Sequence, residues 1–438
     1  MLPKEDLVDP AYPYFLLCIL KAVLAVVEAV TDLLFGLTLT RGSRKERACA
    51  NLENRTAQIV RIRWRAAFSF AFNHGLGNFL YTHEEYVDPA WVLDKKHVIL
   101  YGFDEENAFF SVTDEDVDMW DTRKYPFVFM FAYPLAKKLV IMPHHAFHKL
   151  AEKLGDPETK VTVINMTGRC GSTLLGQMLG RLPKTRILSE PWPLTHLTEL
   201  SQEGLISQDE LEDLVKSGCR LLFKREPGSD VKHMVLKLPP MCGDLFEHFH
   251  ELFPKFNLIL NTRHPVPTLQ SFNKIFANMN GGTFYQRWGF FWRMSHRATP
   301  FAKDPYYRRL REQYWSWFPE DGNNKMLVMN SASIYVAYKR AKDIYKAVVL
   351  YEELKEDPRK VMGGVFKALD LPEDQLDLAL AAMEVDSQNG MLASRGVDEK
   401  FILSEREKDG VDRVFKDFKV PISTRMSTEE FIEFFKCS

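Results

Sequence analysis

The sequence predicts an α/β protein built on a P-loop-type, doubly wound parallel sheet of about five strands, with a mixed N-terminal extension. Three observations predict it. Short apolar runs alternate with helical stretches through the second part of the chain, a glycine-rich turn follows the first of these runs, and Gly155-Asp156-Pro157 breaks the pattern just before them. The chain therefore divides into an apolar helical region (1–50), a mixed α+β accessory region (51–157) and the main α/β domain (158–438).

The apolar runs at 161–166, 185–188, 233–238, 257–261 and 347–351 have the length and uniform hydrophobicity of strands buried on both faces. Helical stretches such as 173–182 and 245–253 lie between them. Strands joined by crossover helices form a parallel sheet, and ligands of such sheets bind beyond the carboxyl ends of the strands. Upstream, an aromatic-rich run at 64–72, strand-like stretches at 97–101 and 108–112 and a helical stretch at 146–154 make up the mixed region. His144, His145 and His148 include an i, i+4 pair that shares a helix face, as metal ligands do. With no carboxylate or cysteine beside them, they read as surface or capping histidines.

Residues 11–40 are strongly apolar but carry Lys21, Glu28 and Asp32, which fall within about 40° of one another at 100° per residue. Such a helix has a narrow polar stripe and a broad apolar surface, suited either to membrane contact or to docking on the protein. A signal peptide fits less well, because a basic start and a convincing cleavage site are absent. If the segment spans a bilayer, the basic Arg41, Arg44, Lys45 and Arg47 after it, and Glu5, Asp6 and Asp9 before it, place the main body on the cytoplasmic side. A lumenal, Golgi-type arrangement is disfavoured by this rule, although nothing in the sequence forbids it.

Of the 438 residues, 46% are hydrophobic and 26% charged, a globular composition that excludes a mainly disordered, collagenous or multi-span membrane chain. Lys and Arg total 57 against 59 Asp and Glu, so no global field attracts nucleic acid, and none is expected as a partner. Cys18, Cys49, Cys170, Cys219, Cys242 and Cys437 form no dense disulfide framework, which suits a reducing compartment. Of the sequons at Asn54 and Asn165, the second lies inside an apolar strand pattern that would not accommodate a glycan.

The chemistry concentrates at two places. Residues 167–173 read T-G-R-C-G-S-T between the first strand and a helix. Gly168 and Gly171 let backbone N–H groups turn toward an anion, Arg169 supplies a cation, Cys170 completes the turn, and Ser172 and Thr173 bring hydroxyls to a positive helix end. The lysine of a Walker A loop is absent. The loop reads as a phosphate cradle or, alternatively, as a structural turn. After the fourth strand, Arg263 stands at the strand end and Ser271 lies eight residues on in a helix, a fork and a hydroxyl suited to a second phosphate. Taken alone, such an arginine is more often a surface ion-pair partner.

These motifs resemble those of the PAPS-dependent sulfotransferases, whose sulfate donor is 3'-phosphoadenosine 5'-phosphosulfate. The family's 5' phosphosulfate loop is matched by Arg169, Cys170, Gly171, Ser172 and Thr173, with cysteine in place of a serine, and its 3' phosphate motif by Arg263, Pro265 and Ser271. Tyr351, Glu352, Leu354, Asp357 and Pro358 look like its late strand and helix start. The resemblance covers about residues 160–385. It implies a P-loop sulfotransferase domain that uses PAPS, releases 3',5'-ADP, needs no metal and acts on a hydroxyl or amine of a small-molecule, glycan or protein acceptor.

It further implies catalytic roles for Arg169, for Lys237 near the bridging oxygen and for Glu190 as the base. Apart from the resemblance, a strand-end lysine such as Lys237 reads as a solvated charge. Cytosolic relatives carry K-T-H-L-P where this chain has Lys237-Leu238-Pro239-Pro240, so their histidine is missing. Glu190 in I-L-S-E-P-W looks like the acidic residue of carbohydrate- and tyrosine-modifying relatives, with a structural cap or ion pair, or another base such as His233, as alternatives. Cys170, near a helix N-terminus, has a setting that can favour a thiolate but reads as a tolerated small residue. The aromatic and basic stretch at 281–318, including Trp288, Trp292, Arg287 and Arg293, reads as an acceptor-pocket roof or as ordinary packed helices, and Ser394 and Arg395 suggest a late contact to the 3' phosphate. Two other functions stay open: a catalytically inactive nucleotide-binding interaction protein of the same fold, and an ATP-dependent phosphotransferase.

Overall fold

A computed structural model describes residues 11–67, 74–225, 228–278, 323–385 and 402–437. Its internal contacts group Met1–Glu158 with Pro191–Asp230 in one unit, and Thr159–Glu190 with Val231–Ser438 in a second.

The first unit opens with helix α1 (Ala11–Phe35), the short hairpin β1 (Leu37–Thr38) and β2 (Gly42–Ser43), and α2 (Arg44–Leu52), whose N-terminus is capped by the Ser43 hydroxyl. Five antiparallel strands follow: β3 (Ala57–Arg65), β4 (Phe79–Val87), β5 (Val98–Phe103), β6 (Asn107–Val112) and β7 (Lys138–Pro143), in the order β4-β3-β7-β6-β5. Helix α3 (Val128–Leu135) precedes β7 and α4 (His144–Leu154) follows it. The stretches expected at 97–101 and 108–112 are β5 and β6, whereas β3, β4 and β7 were not evident from periodicity. Strand β5 is buried on both faces, and the inserted segment Pro191–Asp230 supplies α6 (Pro193–Gln202) and α7 (Gln208–Leu222) to this unit. Gly102 leaves space for His196 of α6, whose Nδ1 accepts the Phe103 N–H at 3.1 Å. The histidine group is structural in this respect: His148 pairs with the Ser217 hydroxyl at 2.8 Å.

The second unit is the expected parallel sheet. Strands β8 (Lys160–Met166), β9 (Thr185–Ser189), β10 (His233–Lys237), β11 (Asn257–Thr262) and β12 (Tyr345–Leu350) lie in the order β12-β11-β8-β10-β9, every pair parallel. Among the described residues its helices are α5 (Ser172–Gly180), α8 (Phe246–Leu252), α9 (Pro265–Asn278), α10 (Asn323–Arg340), α11 (Tyr351–Glu356), α12 (Pro358–Ala368), α13 (Leu376–Leu380), α14 (Glu405–Asp417) and α15 (Thr428–Cys437). Alternate strand residues feed two cores, as a pleated sheet covered on both faces requires. Ile164, Val235, Ile259 and Val349 pack with Leu175, Met178 and Phe366 on one face. Leu260 and Leu350 pack with Leu269, Tyr335, Phe415 and Phe431 on the other.

Candidate functional site

Chain order reverses direction in the sheet at β8: β10 and β9 lie to one side, β11 and β12 to the other. The carboxyl ends of β8 and β11 meet at this switch point, the usual crevice for ligands of open parallel sheets. Registers Asn261↔Met166, Lys237↔Ile164 and Lys237↔Ser189 bring the strand ends to one edge. Among the described residues, the glycine loop 168–173, Glu190, Lys237 and Arg263 lie at that edge or in the turns leaving it, Ser271 lies in the helix that follows Arg263, and the weaker candidate His233 lies elsewhere.

The loop after β8 is left-handed at Gly168 (φ 74°), Arg169 (φ 48°) and Gly171 (φ 80°). The glycines are needed for space as well as conformation: a Cβ on Gly168 would come within 2.9 Å of the Phe272 ring, and one on Gly171 within 2.6 Å of the Tyr351 ring. The helical ladder begins with Leu175 N–H donating to the Gly171 carbonyl at 3.0 Å, so the N–H groups of Ser172, Thr173 and Leu174 precede it. That is the backbone arrangement that binds anions at helix N-termini. The Ser172 hydroxyl donates to the Met166 sulfur at 2.7 Å.

The two sequence motifs converge. Arg169 Nε donates to the Ser271 hydroxyl on α9 at 3.0 Å, and Arg263 donates to the Arg169 carbonyl at 3.3 Å. The Arg263 guanidinium stacks on the Tyr351 ring at 4.4 Å, and its buried Nε has no hydrogen-bond partner among the described residues. Burial, and then the adjacent Arg263, lower the pKa of the Arg169 guanidinium. A group bearing negative charge would relieve both strains, so the donor set suits a phosphate.

A second cluster joins β10 to the turn after β9. Lys237 is 1% exposed, which removes its reading as a solvated strand-end charge. Its ammonium donates to the Thr173 hydroxyl at 3.1 Å and pairs with the Glu190 carboxylate. Glu190 adopts a left-handed conformation (φ 53°), and its N–H donates to the Lys237 carbonyl at 2.8 Å. Both residues are therefore held by backbone as well as side chain.

His233 loses its place as an alternative base, and Cys170 sits as the tolerated small residue that the sequence suggested. His233 begins β10, at the opposite end of that strand from Lys237, and its Nε2 lies 2.9 Å from the Thr162 hydroxyl. Four residues at about 3.3 Å each separate it from the site, too far for a base. Cys170 is fully buried, its thiol donating to Asn261 Oδ1 at 3.4 Å, and burial raises its pKa despite the helix terminus. Only its backbone remains a candidate for ligand contact. Residues 281–318, Ser394 and Arg395 lie outside the described residues. Sequence reasoning missed Asn261 and Phe272 as supports of the loop and Tyr351 as the ring beneath Arg263. Their positions just after or within the flanking strand and helix were the available signal.

No family model matches the chain, and no curated protein matches it. Among solved structures, it is similar to the sulfotransferase STF9 from Mycobacterium avium, at 14% identity and TM-score 0.36 over 64% of this chain and 82% of that one. The sulfotransferase STF1 from Mycobacterium tuberculosis matches at 13% identity and TM-score 0.37 over 61% and 79%. The sulfotransferase domain of a Synechococcus olefin synthase matches at 17% identity and TM-score 0.30 over 64% and 95%.

Proposed function

We propose that the second unit is a PAPS-dependent sulfotransferase. The observation that carries this reading is the convergence of Arg169, Ser271 and Arg263 from two motifs separated by about 90 residues, on a glycine loop at the switch point of a parallel sheet. A mononucleotide loop needs one phosphate site; the second arginine, with its unpartnered Nε, supports a donor that carries a separate 3' phosphate.

In this reading the loop backbone and Thr173 hold the 5' phosphosulfate, while Arg263 and Ser271 hold the 3' phosphate. The acceptor oxygen or nitrogen attacks sulfur, the bond from sulfur to the bridging oxygen breaks, and the departing 3',5'-ADP keeps the electron pair. Arg169 and Lys237 offset the charge that develops on the transferring and leaving oxygens. The acceptor proton goes to Glu190. Donor oxygens near Thr173 compete for Lys237, and its withdrawal from the carboxylate makes Glu190 available as the base.

Thermal unfolding with 3',5'-ADP, 5'-AMP and magnesium-ATP tests the donor assignment. A ligand at roughly 100 times its Kd stabilises by about 2.7 kcal/mol. A shift specific to 3',5'-ADP is expected; stabilisation by ATP alone would overturn the assignment in favour of phosphoryl transfer.

A further inference from the structure

Helix α1 presents a solvent-facing surface that its own unit does not cover. Within its apolar span Pro13–Phe35, only 11% of an 18-residue apolar window is buried. Tyr14 and Leu17, which are buried, and Lys21, Leu24, Glu28 and Thr31, which are half-buried, are spaced by three and four residues and form the seam toward the protein. Each charge of the helix lies on or beside that seam and is satisfied by the protein. The Lys21 ammonium donates to the carbonyls of Leu76, Gly77 and Phe79 at 2.9, 3.3 and 3.1 Å. The Glu28 carboxylate accepts the Thr40 N–H at 2.6 Å and its hydroxyl at 2.8 Å. Asp32 pairs with Arg44 at 3.0 Å and Arg47 at 3.1 Å.

The rest of the helix, an arc of about 220° at 100° per residue, holds no charged side chain. Ile19, Val23, Val26, Val30, Leu33 and Leu34 along it are between 50% and 78% exposed. The following hairpin continues the surface with exposed Leu37 and Leu39, and Arg41 and Lys45 stand exposed just beyond it.

We propose that α1 and its hairpin lie within one leaflet of a phospholipid bilayer, holding the protein to the membrane without crossing it. The width of the arc favours lipid over protein, since a partner helix covers a seam whereas only a fluid apolar phase covers so wide an arc. Attachment along the seam from Lys21 to Asp32 fastens the helix lengthwise to folded protein, which opposes a transmembrane course. Arg41 and Lys45 meet anionic headgroups at the leaflet surface. This placement is independent of the sulfotransferase reading.

The test is flotation of the full chain with phosphatidylcholine vesicles, with and without phosphatidylserine. Wild type is expected to float, more completely with phosphatidylserine, and the variant Ile19→Glu/Val23→Glu/Val26→Glu to stay in the dense fraction with an unchanged thermal midpoint. In the floated protein a membrane-impermeant maleimide should modify Cys18 of α1 at least tenfold more slowly than in buffer, while Cys49 of α2, also exposed, keeps its rate. Three results would overturn the proposal: wild type that fails to float; an unaltered Cys18 rate; or vesicle-bound protein whose N-terminal tag is sheltered from external protease, the mark of a spanning helix. A vesicle-free dimer abolished by the same three substitutions, without flotation of wild type, would assign the surface to a second copy of the chain instead.

Discussion

Arg169 and Ser271 are 102 residues apart in sequence, yet the arginine Nε donates to the serine hydroxyl at 3.0 Å. This bond ties the loop after β8 to α9, while Arg263 closes the same group from the end of β11 through the Arg169 carbonyl. Hydrogen bonds to charged groups contribute roughly 1.5–3 kcal/mol, or about 10- to 150-fold in affinity. Arg263→Ala should therefore weaken 3',5'-ADP binding by at least about tenfold in calorimetry. Ser271→Ala should weaken it less, because it removes a neutral hydroxyl and leaves both guanidiniums. Unchanged affinity in Arg263→Ala would detach this arginine from the nucleotide site.

Gly171→Ala combines an unfavourable left-handed conformation with a Cβ 2.6 Å from the Tyr351 ring. The conformation alone costs about 1–2 kcal/mol. Displacement of Tyr351 should also disturb Arg263, which stacks on the ring. Both a lower unfolding midpoint and weaker nucleotide binding are expected. A variant with wild-type values for both would show that the loop relaxes freely.

Lys237 and Glu190 form a buried pair, so removing either charge strands the other. Lys237→Met should cost about 3–5 kcal/mol in denaturant unfolding, and Lys237→Met/Glu190→Gln should recover much of that loss. Glu190→Gln alone should leave 3',5'-ADP affinity near wild type and, once an acceptor is in hand, lower kcat by about 10²- to 10⁴-fold. Full turnover in this variant would eliminate Glu190 as the base.

The His196 imidazole is kept neutral, its pKa lowered by burial to about 3. In the unfolded chain it returns to about 6.5, so below that pH the unfolded state binds a proton that the folded state refuses. Its contribution to stability is complete above about pH 6.5 and declines as the pH falls toward 3, by up to about 1.4 kcal/mol per unit. His233, lowered to about 4 by burial, acts in the same direction. Urea unfolding at pH 7.5 and 5.5 should reveal the loss, and His196→Asn, which retains an acceptor for the Phe103 N–H, should reduce it. An unaltered pH dependence in that variant would assign the effect to other groups.

Sequence alone determined the parallel sheet, the loop that follows its first strand and the polar stripe of α1, because each is written in neighbouring residues. Uniform apolar runs mark strands buried on both faces, glycines mark a left-handed turn, and charges at helical spacing share one side of a helix. The antiparallel β3 and β4 escaped detection because their burial is uneven and their pairing is set by distant partners. Tertiary structure alone joined Pro191–Asp230 to the first unit, turned the Cys170 thiol inward to Asn261, placed Tyr351 beneath Arg263, and paired Lys237 with Glu190. Those relationships depend on strand order and register, which bring together side chains that no local periodicity connects. The same is true of α1: the sequence contains its three charges, but only the fold supplies the carbonyls, Thr40 and the arginines that satisfy them and leave the apolar arc outward.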